Sequence, residues 1–547
     1  MNAGLDLSSR HYADVYVWTC INLSETMPHP ASPMGWSLLE TGIRVMFRPL
    51  RISNDAGYRV FEFLYGRVYW NLTPLFGSRL LFRALDRDLE LIGPSIRPVF
   101  REIFRRGRVR PRPIFTMSQK LVLALQTLFV IPRVAATTAL LALRRGAIDR
   151  GLERLESILR RSVATTSRDS RSLIVEQERY LSRGYEGIKR HYGPAGILVI
   201  ALAGPFLDLA AWLVNSKSLV ETLELIAPTR PSKTAQADMA LWEIARRAGE
   251  LTASSPEYLA YLDRFGHRCP GEQDAISPRP WDDPEGTLAR IQKTPVAGPP
   301  PSERFAALGR RRREAAEARL QTIGLLRRLI ARPLHRLASH TYPYREDGKH
   351  YVMLLFGFAR RRLVAIGRAL KDEGFLADAD DVFFLTSAEL SRVARGDVAA
   401  LGRIADRRAE FDRWRDFRPP LVVTSEGIPE SPPGPPLRGD GVSPGVARGR
   451  VRVVLDPAVD GKLEAGEILV APYTDPGWTA LFLRAAAVVT EVGGALSHGA
   501  VVAREFGLPA VVNVADATKL LKTGETIEVD GSTGEIKRVQ SSKSNVV

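Results

Sequence analysis

Five of the ten residues Ile428–Leu437 (IPESPPGPPL) are prolines, and this run divides the chain before anything else is read. Proline fixes φ and lacks an N–H, so such a segment is an extended, semi-rigid spacer with no core of its own. The sequence on its two sides differs in kind. Ahead of it, residues 115–262 and 303–339 carry apolar residues at helical spacing. In IDRGLERLESILRRSV, for instance, Leu152, Leu155, Ile158 and Leu159 form one stripe with charges opposite. The helical pattern closes with Asp406–Phe417, before Pro419 and Pro420. Behind the spacer come short β-rich runs: VRVVL (451–455), EILVAPY (467–473), AAVVTE (486–491) and AVVNV (510–514). TIEVDG and GEIKRV then flank a Gly-Ser-Thr-Gly turn that reads as a hairpin. One helix is predicted among these strands, Ser497–Phe506, stopped by Gly507 with Pro509 beyond. The chain, 547 residues long, is therefore expected to be multidomain. A large mainly α-helical domain spans 1–423, a linker 424–438, a small α/β domain 439–540, and a tail 541–547.

Charge and cysteine content narrow the classes. Lys and Arg exceed Asp and Glu by 77 − 61 = 16. Seven arginines fall between Arg97 and Arg112 against one acid, Glu102, and prolines 98, 111 and 113 make that stretch partly non-helical. It is either a solvated loop or a docking surface for phosphates or an acidic partner. Nucleic acid is not indicated, since no aromatic platform, zinc-finger spacing or RNA-binding signature accompanies the charge. Leu121–Leu143 and Ala195–Val214 approach membrane-spanning length, but Pro132 with Arg133 and Pro205 with Asp208 interrupt them. Buried helices are expected there, a membrane surface being the less favoured partner. Two cysteines, Cys20 and Cys269, build neither a disulfide framework nor a Cys-based zinc site, and the N-terminus has no secretory pattern. A cytoplasmic location is expected. No histidine pair has metal-ligand spacing, so no metal site is expected.

The sharpest local signal is TEVGGALSHGAVVAREFGLP, Thr490–Pro509. A strand ends at Thr490, Gly493 and Gly494 turn the chain, and a helix opens at Ser497. His498 then lies in the first helical turn, among unpaired N–H groups at the positive end of the dipole. Such a place suits a phosphate, and neutral imidazole is a capable nucleophile near pH 7. Two readings follow from the residues: a phosphate-accepting histidine, or a helix-capping one without chemistry. Elsewhere His267, with Arg268, Glu272 and Asp274, forms a polar cluster ahead of Trp281. His267 and Glu272 are candidates for acid–base work on an acceptor hydroxyl, or for tying two helices together.

The pattern T-x-x-G-G-x-x-S-H-x-A-x-V-A-R-x-x-G-x-P resembles the signature of the swivelling phosphohistidine domain of the PEP-utilising enzymes, and GVSPGVARGRV (Gly441–Val451) resembles its opening. The resemblance implies a β/β/α swivelling fold over 439–540 and transient phosphorylation of His498. It also implies that Thr490, Gly493, Gly494 and Ser497 shape the turn, with Arg504 on the helix. Looser segments ahead of the spacer are similar, in order, to the helical domain of the rifampin phosphotransferases: Trp18–Leu39, Phe265–Asp274, Pro278–Pro284, Arg345–Lys349 (REDGK) and Asp380–Leu390. From that likeness Arg345 and Lys349 are the expected phosphate contacts on the acceptor side, sharing a face at i and i+4 if that segment is helical.

The resemblance lacks two parts. No segment resembles the family's N-terminal ATP-grasp domain or its PEP-binding barrel, and no G-x-x-x-x-G-K-[ST] loop occurs. The expectation is a phosphotransferase component with no tightly bound cofactor. A separate ATP-grasp subunit of the pyruvate phosphate dikinase type would supply ATP and Mg²⁺. His498 would pass the phosphoryl group to the hydroxyl of a small-molecule acceptor held in the helical domain. The alternative is a catalytically degenerate ligand-binding or membrane-associated assembly protein that keeps the fold.

Overall fold

The computed structural model describes residues 13–47, 61–109, 146–193, 205–292, 300–429, 437–457 and 463–539, apart from short gaps inside these spans. Leu121–Leu143, Arg110, Arg112 and the 541–547 tail lie outside the described residues.

The first domain is built around one helix, Pro343–Asp372. Its Leu354, Leu355, Phe356, Phe358, Leu363 and Ile366 are all buried, so the middle of the helix must be surrounded on nearly every side. The helix Ala147–Arg161 offers it Leu152, Leu155 and Leu159, and Ser170–Gly187 offers Ile174 and Tyr180. Asp169 caps the second of these by accepting from the Ser172 N–H at 2.8 Å.

Mainly helical as it is, this domain contains a sheet that the sequence pattern did not announce. Strands β1 (Val17–Thr19), β2 (Phe61–Leu64), β3 (Arg67–Asn71) and β4 (Val422–Thr424) form it in the order β2-β3-β1-β4. Val17 pairs with Thr424 and Thr19 with Val422, and the Thr19 hydroxyl donates to the Leu421 carbonyl at 2.7 Å. Thr424 is thus strand, not linker. At the far end Leu437 accepts from the Ile536 N–H, and Arg438 bridges Glu535. The spacer expected over 424–438 is shorter at both ends, because the backbone groups there find ladder partners. Residues 430–436 lie outside the described set.

The arginine-rich stretch also differs from expectation. Arg97–Arg106 is a helix, with Pro98 in the first turn, where a missing N–H costs nothing. Asp86 takes both Arg97 and Arg101, Glu102 takes Arg105 and Arg106, and Arg108 reaches Glu426. Most of the described charge of this cluster is matched inside the chain.

The second domain carries a seven-stranded sheet in the order β11-β10-β6-β7-β8-β9-β5. Its strands are β5 (Asp440–Ser443), β6 (Val446–Val453), β7 (Ile468–Ala471), β8 (Ala487–Thr490), β9 (Ala510–Val512), β10 (Thr526–Asp530) and β11 (Glu535–Arg538). β6 to β9 run parallel, with antiparallel partners at both edges. β7 (ILVA) and β8 (AVVT) are buried throughout, the continuous apolar run that parallel strands covered on both faces require. The helix His498–Phe506 ends on Gly507, whose φ of 68° is left-handed and suits a residue without a Cβ. The apolar cluster that seats this helix continues into the first domain: Leu223, Ile226 and Trp242 pack with Trp478, Leu481 and Phe482. No helix among the described residues is long and apolar enough to cross a membrane.

Candidate functional site

His498 stands where β8 gives way to its helix. The Thr490 hydroxyl donates to the Val492 carbonyl at 2.9 Å and the Gly493 N–H to the Asn513 side-chain oxygen at 3.1 Å. The Ser497 N–H then closes on the Gly494 carbonyl at 2.9 Å, and the Ser497 hydroxyl caps the helix by accepting from the Ala500 N–H at 3.3 Å. His498 follows as the first helical residue. The backbone at Gly499 passes so close to Thr474 that a Cβ there would run into the Thr474 hydroxyl. Arg504, buried one turn and a half later, donates to the Val442 carbonyl at 2.8 Å and to the Ala495 carbonyl. It holds the turn from behind and is not turned toward an incoming phosphate.

The other half of the site belongs to the first domain. His498 is buried against it, and its imidazole is held well below the ordinary value by burial, then by the charges of Lys349 and Arg268. The ring is neutral at pH 7, as a nucleophile requires. Arg268 forks onto the Glu272 carboxylate at 2.7 and 3.2 Å, and the Lys349 ammonium lies 3.5 Å from the same group. Burial acts to raise Glu272, yet Arg268 and Lys349 outweigh it and keep the carboxylate ionised. Arg345 differs from the role expected of it: its guanidinium donates to the carbonyl of Leu496, in the turn before His498. Arg345 and Lys349 do share a helix, Pro343–Asp372, but one touches the turn before His498 and the other the Glu272 cluster.

His267 is fully buried beside Trp281, its ring 4.6 Å from that of His350, and neither of its nitrogens has a partner among the described residues. Burial, then His350 and Arg268, push it well below the usual range, so it too is neutral. Sequence reasoning missed four members of the cluster. Glu505 is buried on the His498 helix, and burial with Glu346 and Asp238 raises it to about 8, against the opposing charges of Arg312 and Arg504. Arg312 donates to the Arg504 carbonyl at 2.8 Å, across the domain boundary. Glu346 and Glu505 lie inside motifs already singled out and could have been found there. Asp238 and Arg312 gave no signal of their own, because only the packing of their helices brings them here.

This arrangement has an energetic consequence. Glu272 is the counter-charge for a fully buried guanidinium. Replacing it by alanine strands Arg268, and the chain is expected to lose about 3–5 kcal/mol in denaturant unfolding. A Glu272→Ala variant as stable as the parent would show that the pair is not buried as described.

Comparison with known proteins supplies the remaining facts. Residues 463–534 match the family profile described as PEP-utilising enzyme, mobile domain, and residues 205–346 match that of the rifampicin phosphotransferase fourth domain. A rifampicin phosphotransferase of Streptomyces sviceus is 38% identical over 295 residues, covering 51% of this chain and 33% of that protein. One from Bacillus subtilis is 34% identical over 291 residues, covering 50% and 33%. An uncharacterised protein of Mycobacterium tuberculosis (strain H37Rv) is 31% identical over 551 residues, covering 95% of this chain and 61% of its own length. The chain spans about a third of the length of the rifampicin phosphotransferases it matches.

Proposed function

Because residues 463–534 match the mobile domain of the PEP-utilising enzymes and about half of the chain is similar to rifampicin phosphotransferases, we propose that it carries a phosphoryl group on His498 and delivers it to an acceptor hydroxyl in the helical domain. One observation supports this above the rest: the neutral imidazole at a helix start is buried against two cations of the other domain, Lys349 and Arg268. A phosphoryl group on that nitrogen would add negative charge where the helix dipole and both cations favour it.

The cycle has two transfers. In the first, an imidazole nitrogen of neutral His498 attacks a phosphoryl group of ATP; the N–P bond forms as the P–O bond breaks and the remaining nucleotide leaves. In the second, the acceptor oxygen attacks phosphorus, the N–P bond breaks, and the hydroxyl proton passes to a base. Dividing the reaction makes two modest barriers out of one large one. The unit over 439–540 moves between the two sites on the proline-rich spacer. We assign the charging step, with ATP and Mg²⁺, to a separate ATP-grasp subunit.

Each side chain has a part in this reading. Thr490, Gly493, Gly494, Ser497 and Arg504 fix the turn. Arg345 latches that turn to the helical domain through the Leu496 carbonyl. Lys349 and Arg268 face the moving phosphoryl group, and Glu272 sets their positions. Glu272 itself is too weak a base, being stabilised as the anion, so we give the proton to the neutral His267, with His350 beside it.

The reading can be tested without the partner. Phosphoramidate, a small donor that phosphorylates neutral imidazole, should load one acid-labile, alkali-stable phosphate per chain, mapped to His498. Rifampicin is the first acceptor to offer, since it is named in the relatives, followed by other hydroxyl compounds. Lys349→Met should slow discharge to a working acceptor by about 10²–10³-fold, the usual loss of one charge-stabilising donor, and leave loading within a few-fold of the parent. Equal effects on both steps would remove Lys349 from the acceptor side. For the donor, adding an ATP-grasp subunit with ATP should load His498, and ATP alone should not.

A further inference from the structure

The helix Leu325–Thr341 begins with four large apolar side chains that nothing among the described residues covers. Leu325, Leu326, Leu329 and Ile330 are 55–80% exposed, although a soluble surface rarely shows such residues contiguously. Their spacing of i, i+1, i+4 and i+5 puts them on one face. Trp212, itself 60% exposed on the neighbouring helix Pro205–Leu213, extends the patch, and Leu209 lies beside it. The guanidinium of Arg327 sits 4.5 Å over the Trp212 ring. On the helix that carries the four apolar residues, Arg332 and Arg336 continue the stripe of Leu325 and Leu329 at i+7 and i+11. Arg328 spends its charge on the Gln321 and Ile323 carbonyls at 2.8 and 3.1 Å, and Arg319 pairs with Glu221. Arg332 reaches Glu317, the other acid at the rim. The rim therefore holds more arginine than acid.

We propose that this patch docks on an anionic lipid surface. The charge at its rim selects a negative occupant. A second copy of the chain is disfavoured by the same feature, because an isologous contact would set one rim of arginines against another. A lipid interface asks for little shape: apolar side chains that can sink below the headgroups, a tryptophan at the boundary, and basic residues around them. The patch has all three on outward-facing helical turns, and its side chains project from the surface. It lies outside the His498 cluster, so the proposal stands whether or not the phosphotransfer reading does.

The full chain should co-sediment with vesicles of phosphatidylglycerol and phosphatidylcholine, and at least tenfold less with phosphatidylcholine alone. Raising the salt to about 0.5 M should weaken the anionic binding several-fold, as screening requires. Leu326→Glu with Leu329→Glu should lower binding at least tenfold, with an unchanged melting curve and unchanged loading of His498. Trp212→Phe should remove any blue shift of tryptophan emission on binding. The proposal is overturned if the parent ignores anionic vesicles, or if the double variant binds them as well as the parent, which would move the contact elsewhere. It is equally overturned if light scattering shows a concentration-dependent dimer that the double variant abolishes, since the patch would then be an interface between copies.

Discussion

A chain bearing His498→Ala is expected to take up no acid-labile phosphate from phosphoramidate, or from ATP with the proposed ATP-grasp subunit. The loss should be at least ~10³-fold, within the range seen when a group that forms or breaks the reacting bonds is removed. The substitution isolates chemistry from folding. Alanine is a good helix former, and the Ser497 cap, the Gly507 stop and the two Arg504 bonds that shape the turn do not involve the imidazole. Melting should shift little. Two companions sharpen the result. His335→Ala, whose ring bonds the Leu225 carbonyl away from the site, should load normally. Arg504→Ala should lower loading in part, through a loosened turn, and should also lower stability. If His498→Ala loads like the parent, the carrier assignment fails, and the histidine is only a helix-start residue in a packed interface.

The second large effect is a pH dependence of docking, centred on Glu505. In the docked arrangement burial, with Glu346 and Asp238 nearby, raises this carboxyl to about 8, against Arg312 and Arg504. If the unit over 439–540 leaves the helical domain, as the proposed cycle requires, water returns to Glu505 and its value falls toward an ordinary carboxyl near 4.5. The docked form thus holds a proton that the open form releases. The stability this gives docking is fully present below about 4.5 and is lost as pH rises toward about 8. The gap between the two values amounts to roughly a thousandfold in the docking equilibrium.

His498 works with the opposite sign. Its value is depressed on docking, so docking expels a proton from any open form that is charged, and it strengthens as pH rises toward the ordinary histidine value of 6.5. Below about 6.5 the two slopes oppose each other; between about 6.5 and 8 that of Glu505 stands alone. Energy transfer between dyes on the two domains should therefore report opening across that window. Glu505→Gln should stay docked and flatten the slope. The same slope in parent and variant would mean that another group titrates at the interface.

Local signals carried most of the carrier half. The run from Thr490 to His498 needs nothing distant to be read, because its turn, cap and helix start are consecutive. β7 and β8 are uninterrupted apolar runs for the same reason that they are buried on both faces. The acceptor half was less legible. Lys349 emerged from a short likeness, but its partner Glu272 is 77 residues earlier and meets it only when the long helix packs against the 265–278 segment. Asp238 is a polar residue in an unremarkable helix until packing sets it near Glu505. The small sheet was invisible because three-residue strands such as Val17–Thr19 are too short for a period of two to declare itself. Arg345 was expected as an acceptor-side phosphate contact and Arg504 as a residue of the His498 helix, and both donate to backbone carbonyls of the turn. Residue type suggested the neighbourhood, and only geometry assigned the partner.

The pairing of β1 with β4 sets the order in which this protein can be finished. Thr19 and Leu421 are 402 residues apart in sequence and hydrogen-bonded in space. During synthesis at ~5–20 residues per second, β1 leaves the ribosome and then waits roughly 20–80 s for its neighbour. Through that interval β1 can pair with β3 alone, and its other edge, later covered by β4, stays open. The carrier domain emerges only afterwards, when the sheet that roots its arm can already close. A nascent chain stalled before Val422 should therefore keep that edge of its first strand open to proteases and chaperones, and one stalled past Thr424 should hide it.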